Sequence, residues 1–219
     1  MILLIYGSGG LGREIYDLAY RNSEDRWEKI IFVNDFVDEG SNYLTESIHF
    51  DSIKGRYAEQ MENVEGIVAV GEPVFRQQLL ERFKSIGLKL ATIIDASAIV
   101  SPSAKLLEGV IVAENALVHA EVEIGEGTLI QPYACIGHGT IIGNYSVIGP
   151  HSAIGGSCKI DNCAYVGMNS SIKEKVCIAK NVIVGMSAAV FTDVEEGKTV
   201  VGNPARATKR NNQGRVFNN

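Results

Sequence analysis

Histidine is the side chain best suited to accepting a proton near neutral pH, because its ordinary pKa lies close to that range. One of the four histidines, His138, follows the aliphatic residue Ile136 by two positions, and Gly156 stands eighteen positions after it. In the eighteen-residue coil predicted for this region, the imidazole lies at an outward corner beside a residue with no side chain. A glycine at this position is predicted to leave room for a ligand beside the imidazole.

The other three histidines are weaker candidates for proton transfer. His119 precedes Gly137 by eighteen residues and falls at a predicted corner, and His151 lies three residues into its repeat unit. Both positions also suit an ordinary surface histidine, which is the simpler interpretation. His49 lies in a polar segment and is predicted to be only solvated.

A glycine-rich segment near the start is typical of a phosphate-binding loop. Gly7-Ser8-Gly9-Gly10-Leu11-Gly12 fits GxGxxG after a predicted strand and before a predicted helix, where free backbone N–H groups can hold a phosphate or carboxylate. Asp35 stands 23 residues beyond Gly12, a spacing that suits ribose recognition and makes NAD an alternative ligand. The region before the repeat is too short for both halves of a dinucleotide site, and no residues for hydride chemistry accompany it.

Composition excludes several classes of function. The chain has 20 basic and 26 acidic residues and a net charge of −6, which argues against nonspecific binding of nucleic acid. No run of roughly 18 apolar residues occurs, so we predict no membrane span. The apolar start is short and lacks a basic leader and a cleavage site, so it is predicted to be a strand and not a signal peptide.

The cysteines indicate a reducing compartment. None of the four belongs to a CxxC pair; they are Cys135, Cys158, Cys163 and Cys177. With no secretion signal recognised, we predict reduced thiols in a cytoplasmic protein. Their spacing does not match the usual ligand sets for zinc, so no metal site is predicted.

A six-residue repeat dominates the second half of the chain. Stepping by six from Ile94 to Val190 gives an aliphatic residue at all seventeen positions, and the residue four places later is always small or β-branched. A period of six indicates a short strand and a corner, repeated, with the aliphatic side chain inward. Three faces close a triangular prism with eighteen residues per coil, and nearly six coils give a length of roughly 27 Å. Seven hexads carry glycine directly after the aliphatic residue, which we attribute to a positive φ at the corner.

The first part of the chain alternates strands and helices, which predicts a small α/β domain with a parallel sheet. The predicted strands are Ile2–Tyr6, Lys29–Val33 and Gly66–Val70, and the predicted helices are Glu14–Arg21 and Val74–Ile86. We divide the chain into an α/β domain over residues 1–92, the prism over 93–208 and a flexible polar tail over 209–219.

With both halves in view, the chain resembles the sugar acyltransferases of the hexapeptide superfamily, in particular the group that contains sialic acid O-acetyltransferases and bacterial N-acetyltransferases of nucleotide-linked 4-amino sugars. Beyond the hexads and the glycine-rich loop, the segments that carry the resemblance are Val33-Asn34-Asp35, Ala69-Val70-Gly71, Ser101-Pro102-Ser103-Ala104, Gly137-His138 and Val201-Gly202-Asn203-Pro204-Ala205-Arg206. The resemblance implies a Rossmann-like N-terminal domain, a left-handed β-helix, and a homotrimer with active sites between subunits.

The resemblance also implies roles for particular residues. His138 corresponds to the general base. Acetyl-CoA, the implied cosubstrate, is assigned to Gly156, Met168, Gly185 and Met186; ordinary trimer packing is the alternative for the two methionines. The sugar nucleotide is assigned to Gly9, Gly10, Leu11, Asn34, Asp35 and Gly71. The cationic side chains of Arg206, Lys209 and Arg210 could form ion pairs with the phosphates of CoA, although a solvated tail is the simpler interpretation.

Two departures from the family pattern bear on the acceptor. The residue after the catalytic histidine is often an acid in the amino-sugar enzymes, and here it is Gly139. Many relatives carry histidine where this chain has Leu11. Either another group orients the imidazole of His138 or a backbone carbonyl does, and the loss of a polar contact at Leu11 is consistent with a different acceptor.

The sequence therefore predicts direct transfer of an acetyl group from acetyl-CoA to a sugar, with a nucleotide-linked amino sugar of surface-glycan biosynthesis as the acceptor. O-acetylation of a sialic acid is the alternative within the same fold. A non-catalytic trimeric scaffold is the alternative of another class, and it predicts no histidine beside a glycine at a corner. No metal, nucleic acid or membrane partner is expected.

Overall fold

The computed structural model describes residues 1–22, 26–36, 44–210 and 215–217. They form two compact units: Met1–Gly71 with Phe75–Ile93, and Glu72–Val74 with Ile94 onward. The first is an α/β domain and the second a left-handed parallel β-helix, so the predicted fold class is confirmed. The division falls one residue after the predicted boundary at residue 92, apart from the short segment Glu72–Val74.

The α/β unit is built on five parallel strands in the order β3-β2-β1-β4-β5. The strands are β1 (Ile2–Tyr6), β2 (Lys29–Asn34), β3 (Ser47–His49), β4 (Val64–Val68) and β5 (Lys89–Leu90). The helices are α1 (Gly10–Arg21), α2 (Ile53–Tyr57) and α3 (Pro73–Ser85), with single 3₁₀ turns at Phe50–Ser52 and Met61–Asn63. The sequence patterns did not predict β3 or α2, and the strand predicted for β4 begins and ends two residues too late.

Both faces of the sheet are covered, which explains the continuous apolar runs of its strands. Residues 3–6 of β1 are buried on both sides, and α1 buries its predicted apolar face of Ile15, Leu18 and Ala19. Helix α1 begins at Gly10, four residues before the predicted start. Gly12 lies in its first turn, and a Cβ there would collide with the carbonyl oxygen of Gly7, so only glycine lets the helix pack this closely on the loop.

The β-helix has three faces of two-residue strands, and each strand pairs in parallel with the strand eighteen residues further on. The first face holds Ile93–Ile94, Ile111–Val112, Leu129–Ile130, Val147–Ile148, Tyr165–Val166 and Ile183–Val184. The second holds Ile99–Val100, Leu117–Val118, Cys135–Ile136, Ala153–Ile154, Ser171–Ile172 and Ala189–Val190. The third holds Lys105–Leu106, Glu123–Ile124, Ile141–Ile142, Lys159–Ile160 and Cys177–Ile178.

The inward aliphatic column forms the core, as the period of six predicts. The small residues that stand four places after each aliphatic residue fill the corners. The polar ones among them hydrogen-bond to the backbone of the next coil: the Thr128 hydroxyl donates to the Gly143 carbonyl at 2.8 Å, and the Thr140 hydroxyl donates to the Gly155 carbonyl at 2.9 Å. The column is incomplete at its start. Ile94 is 41% exposed, because no earlier coil covers it on this face, whereas the neighbouring Ile93 is buried.

The corners correct our explanation of the glycines. Positive φ recurs every six residues, three places after the aliphatic residue, mostly at residues other than glycine, such as Asn115, Tyr133 and Ser157. The glycine directly after the aliphatic residue has no positive φ. At Gly143 a Cβ would lie 2.6 Å from the backbone nitrogen of Asn162 on the next coil. Glycine is therefore needed there because two coils approach closely.

The C-terminal part differs from the flexible tail predicted from residue 209. Lys198–Val201 extends the first face, and the antiparallel strand Arg206–Arg210 follows it. Beyond that, the backbone N–H groups of Val216 and Phe217 donate to the buried carboxylate of Glu72 at 2.8 and 3.0 Å. The Phe217 ring contacts Tyr165 edge-on. The remaining tail residues, 211–214 and 218–219, lie outside the described part of the chain.

Among the described residues, no helix is long and apolar enough to cross a membrane, and no cluster of three or more histidine, cysteine or acidic side chains is placed to hold a metal ion. All four cysteines are free thiols. Burial raises the pKa of the Cys158 and Cys163 thiols.

Candidate functional site

His138 lies at the corner between the second and third faces, directly below Gly156 on the next coil. Its residue is exposed, and a Cβ added to Gly156 would stand 2.7 Å from Nε2 and 2.9 Å from Cε1 of the imidazole. The ring therefore occupies the space that a side chain at position 156 would need. The spacing of eighteen residues predicted this juxtaposition, and the open corner leaves the imidazole available to a ligand.

Gly139 provides the turn that follows the imidazole. It has φ +65°, and its N–H donates to the Ala120 carbonyl at 2.9 Å. A Cβ there would be in ordinary contact with the Ser157 hydroxyl, at 3.5 Å. Within the described part of the chain, no carboxylate is hydrogen-bonded to the His138 side chain.

The other histidines have distinct surroundings. At the same corner as His138, the Nε2 atom of His119 lies 3.7 Å from the thiol sulfur of Cys135. His151 stacks flat on Tyr133, with ring centroids 4.7 Å apart, at the corner between the first and second faces. His49 corrects the prediction that it is only solvated, because its Nε2 lies 3.0 Å from the Asp35 carbonyl oxygen and its Nδ1 accepts from the Asp51 N–H.

The residues assigned to CoA lie at two different corners of the β-helix. Gly156 lies beside His138, whereas Met168, Gly185 and Met186 lie at the corner between the first and second faces. Met168 and Met186 are exposed, 46% and 70%, and stand one above the other on consecutive coils. Such flexible apolar side chains suit an adaptable wall. This separation could be predicted from the sequence. Only residues a multiple of eighteen apart stack in one column, and residues 138 and 168 are not.

Two grooves of about 500 and 260 Å³ run along the third face. Residues of that face line them, including Ile141, which borders both, with Lys159 in one and Leu107 in the other. Neither groove includes His138 or the two methionines. The third face therefore offers an apolar surface apart from the two corners.

In the α/β unit, the segments assigned to the sugar nucleotide converge at the carboxyl edge of the sheet, where ligands of such sheets bind. The N–H of Gly7 donates to the Val33 carbonyl at 2.9 Å, and the N–H of Ala69 donates to the Tyr6 carbonyl at 2.9 Å. Three loops thus meet after β1, β2 and β4. Glycine at position 7 has φ +103°, and a Cβ there would approach the Ala69 carbonyl oxygen to 3.1 Å.

The loop after β1 leaves its helix N-terminus open. Gly9 caps α1 with no side-chain hydrogen bond, and both Gly9 and Gly10 are exposed, with nothing within 4 Å of where a Cβ would stand. The unpaired N–H groups of the first turn and the helix dipole favour an anion at this position. Leu11 is half-buried beside them.

Asn34 and Asp35, at the end of β2, are both held by neighbours. The Ser8 hydroxyl donates to Asn34 Oδ1 at 3.3 Å, and Asn34 Nδ2 donates to the Ser47 hydroxyl at 3.0 Å. Asp35 Oδ2 forms an ion pair with Arg82 Nη1 at 2.7 Å. Asn34 thus joins the glycine-rich loop to β3, and Asp35 is joined to α3.

Arg76 was missed by sequence reasoning. Although arginine is rarely buried, its side chain is fully enclosed and donates to the Val68 carbonyl at 2.5 Å and to the Val70 carbonyl at 3.4 Å. Burial lowers the pKa of Arg76 to about 9. It fixes the loop that carries Gly71. The only sequence signal is its position four residues before the buried Leu80 on α3.

Comparison with known proteins gives two family matches. Residues 2–83 match the PglD N-terminal domain, and residues 121–156 match the bacterial transferase hexapeptide (six repeats). No match was found among curated proteins.

Solved structures align over nearly the whole chain. PerB from Caulobacter crescentus, in complex with CoA and GDP-perosamine, is 25% identical with a TM-score of 0.87, covering 95% of this chain and 98% of that one. The acetyltransferase domain of PglB from Neisseria gonorrhoeae, in complex with acetyl coenzyme A, is 26% identical with a TM-score of 0.88, covering 94% and 98%. WeeI from Acinetobacter baumannii shares the fold, at 24% identity and a TM-score of 0.87, covering 95% and 100%.

Proposed function

We propose that this acyltransferase, whose N-terminal part matches the PglD N-terminal domain and whose repeat matches the bacterial transferase hexapeptide, transfers the acetyl group of acetyl-CoA to the amine of a nucleotide-linked amino sugar. The observation that carries the proposal is the exposed imidazole of His138 at an open corner, where it occupies the space that a side chain at Gly156 would need. Likeness to PerB and to the PglB domain, whose structures hold CoA with GDP-perosamine and acetyl-CoA, supports the donor and the class of acceptor.

The proposed chemistry is direct transfer without an acetyl-enzyme. The acceptor amine attacks the thioester carbonyl carbon, and His138 removes the proton that the nitrogen loses. A backbone N–H group stabilises the oxygen of the tetrahedral intermediate. The C–S bond then breaks, and the leaving CoA sulfur takes up a proton from the imidazolium. These reaction steps need one side chain at the corner that can accept a proton and then donate it, and His138 supplies it.

The edge of the α/β sheet supports binding of the nucleotide part. Gly9 and Gly10 at the open start of α1 suit its phosphates, and Asn34, Asp35 and Gly71 border the same edge. Surface-glycan biosynthesis in the cytoplasm belongs to the same proposal, and the four free thiols are consistent with that compartment.

The test of the proposed function is release of CoA thiol from acetyl-CoA in the presence of a panel of acceptors. The panel holds UDP-, GDP- and TDP-linked 4-amino sugars and free sialic acids, with His138→Ala as the control protein. We expect turnover with a nucleotide amino sugar. Turnover with sialic acid alone would favour O-acetylation, the alternative consistent with Gly139 and Leu11, and no turnover with any acceptor would contradict the proposal.

A homotrimer with active sites between subunits is part of the proposal. It is supported by the separation of His138 from Met168 and Met186, which lie at two different corners of one protomer. In a cyclic assembly, one corner of a protomer meets a different corner of its neighbour. Each site then takes its base from one chain and its methionine wall from another.

Subunit mixing tests this arrangement. We expect His138→Ala and Met186→Glu each to be nearly inactive alone, the second because it places a charge against the pantetheine arm. Co-expressed in equal amounts, they should recover roughly a quarter of wild-type activity, since random trimers form that share of sites from two intact corners. Active Met186→Glu protein would remove Met186 from the site, and no recovery on mixing would place each site within one chain.

A further inference from the structure

The carboxyl edge of the α/β sheet contains a charged cluster that the family matches do not assign. Arg82, on α3, donates from Nη1 to Asp35 Oδ2 at 2.7 Å and to the Tyr6 hydroxyl at 2.6 Å. The three residues come from β1, from the end of β2 and from α3, and 76 residues separate Tyr6 from Arg82. Tyr6 is buried, whereas the side chains of Asp35 and Arg82 are 30% and 38% exposed.

Two aromatic rings fix the guanidinium of Arg82. Its central carbon lies 4.0 Å from the centroid of Phe50 and 5.6 Å from that of Tyr6. Both rings are buried and pack on Phe83, so the surface under the guanidinium belongs to the packed core of the α/β unit. A guanidinium that lies over aromatic rings and also bonds a carboxylate is restricted in orientation in a way that a lysine ammonium cannot reproduce.

The cluster determines the state of Asp35. Partial burial acts to raise the pKa of Asp35, but hydrogen bonds from Arg82 and Tyr6 and the charge of Arg82 outweigh burial and hold that pKa below its ordinary value. Burial raises the pKa of Tyr6, which therefore stays neutral. Asp35 is thus an ionised carboxylate that Arg82 anchors through Oδ2, and its side chain remains 30% exposed.

We propose that Arg82 is a positioning residue for the nucleotide: it holds the partly exposed Asp35 carboxylate so that this group accepts hydrogen bonds from the ribose hydroxyls or the base of the acceptor. This inference rests on the proposed function, which supplies a nucleotide as ligand. It explains why an ion pair that is only partly buried, and therefore contributes little to stability, sits on two aromatic rings at the ligand edge of the sheet.

Direct binding of nucleoside diphosphates tests the proposal without depending on turnover. Titration calorimetry with UDP, GDP and TDP measures the Kd for wild type, Arg82→Ala, Arg82→Lys and Asp35→Asn. We expect Arg82→Ala to raise the Kd of the preferred nucleotide and the KM of its amino sugar at least tenfold, with kcat and the KM of acetyl-CoA unchanged. Arg82→Lys should recover only part of the affinity, and Arg82→Ala with Asp35→Asn should lose no more than the larger single loss.

Arg56→Ala is the matched control, because Arg56 also pairs with a carboxylate, Glu46, and also lies over a tyrosine ring, at 5.7 Å. It should bind nucleotide like wild type. Equal affinity in Arg82→Ala and wild type, or an equal loss in Arg56→Ala, would overturn the positioning role while leaving the proposed function intact. Failure of wild type to bind any of the three nucleotides would instead count against the proposed function and remove the basis of this inference.

The pH profile of nucleotide affinity is a readout that a purely structural role would not move. The groups that act on Asp35 are Arg82, Tyr6 and His49, and Asp51 acts on the first two. Because the pKa of Asp35 is depressed, wild type should keep its affinity as pH falls through the ordinary range for aspartate. In Arg82→Ala, burial is no longer opposed by the guanidinium, so affinity should be lost at a higher pH. Coinciding profiles would contradict the proposal.

Discussion

Replacing His138 with alanine should lower kcat by at least about 100-fold, because general-base catalysis contributes that much or more. Acetyl-CoA should bind nearly as tightly as to wild type, since the imidazole is needed when the acceptor nitrogen loses its proton and not when the thioester docks. The relevant measurements are kcat at saturating substrates and the Kd of CoA by calorimetry.

His151→Ala is the matched control for this variant. His151 is also an exposed corner histidine, but it stacks on Tyr133, and the residue eighteen positions later is Asn169 and not a glycine. Its replacement should leave kcat within about twofold of wild type, in keeping with a surface substitution. A His138→Ala protein with normal kcat, or an equal loss in His151→Ala, would rule out His138 as the base.

Adding one methyl group at Gly156 should be the second most damaging change. The Cβ of alanine would stand 2.7 Å from Nε2 of His138, so the imidazole has to rotate away. The ring ends a side chain at an open corner, and its rotation costs little stability. A base displaced by about 1 Å nevertheless loses roughly 100-fold in rate. We therefore expect Gly156→Ala to fold normally, with a low kcat and altered NMR signals from the His138 imidazole.

Gly143→Ala provides the contrast. Here the added Cβ meets backbone, 2.6 Å from the nitrogen of Asn162 and 2.7 Å from the carbonyl carbon of Asp161, and neither atom can move without separating two coils. We expect a loss of about 1–3 kcal/mol in stability with normal kcat in the folded protein. In addition, Gly156→Ala in the His138→Ala background should cause no further loss of kcat. Additive losses would mean that Gly156 acts on something other than the imidazole.

Much of the β-helix could be predicted from the sequence because its order is local and periodic. The aliphatic residue at every sixth position was enough to predict the core column and the eighteen-residue coil. It also predicted the corner at which His138 lies next to Gly156. The reason for the corner glycines could not be predicted, because closeness between coils is a property of the folded backbone. The sequence placed the positive φ two residues too early, at Gly137 and its equivalents and not at Gly139.

The site on the α/β sheet was less predictable. The glycine-rich loop and Asp35 carry recognisable spacing, since a strand, a turn and a helix constrain neighbouring residues. The spacing gives no sign that Arg82 is the partner of Asp35, because the two residues are 47 positions apart. They meet only after α3 has packed on the sheet. The sequence gives only a weak signal for Arg76, its helical spacing from Leu80, because the carbonyl group that accepts from it lies at the end of β4 and is known only from the fold.

The strand pairing of the β-helix also governs how it is made. Each strand bonds to the one eighteen residues later, so every new coil adds only to the coil before it, and the order of synthesis coincides with the order of stacking. Stacking on the first face ends at the antiparallel strand Arg206–Arg210, which covers the last strand edge of that face. Opening from the ends should therefore require less free energy than opening at the centre, and the coil that starts at Ile94 should lose amide protection first.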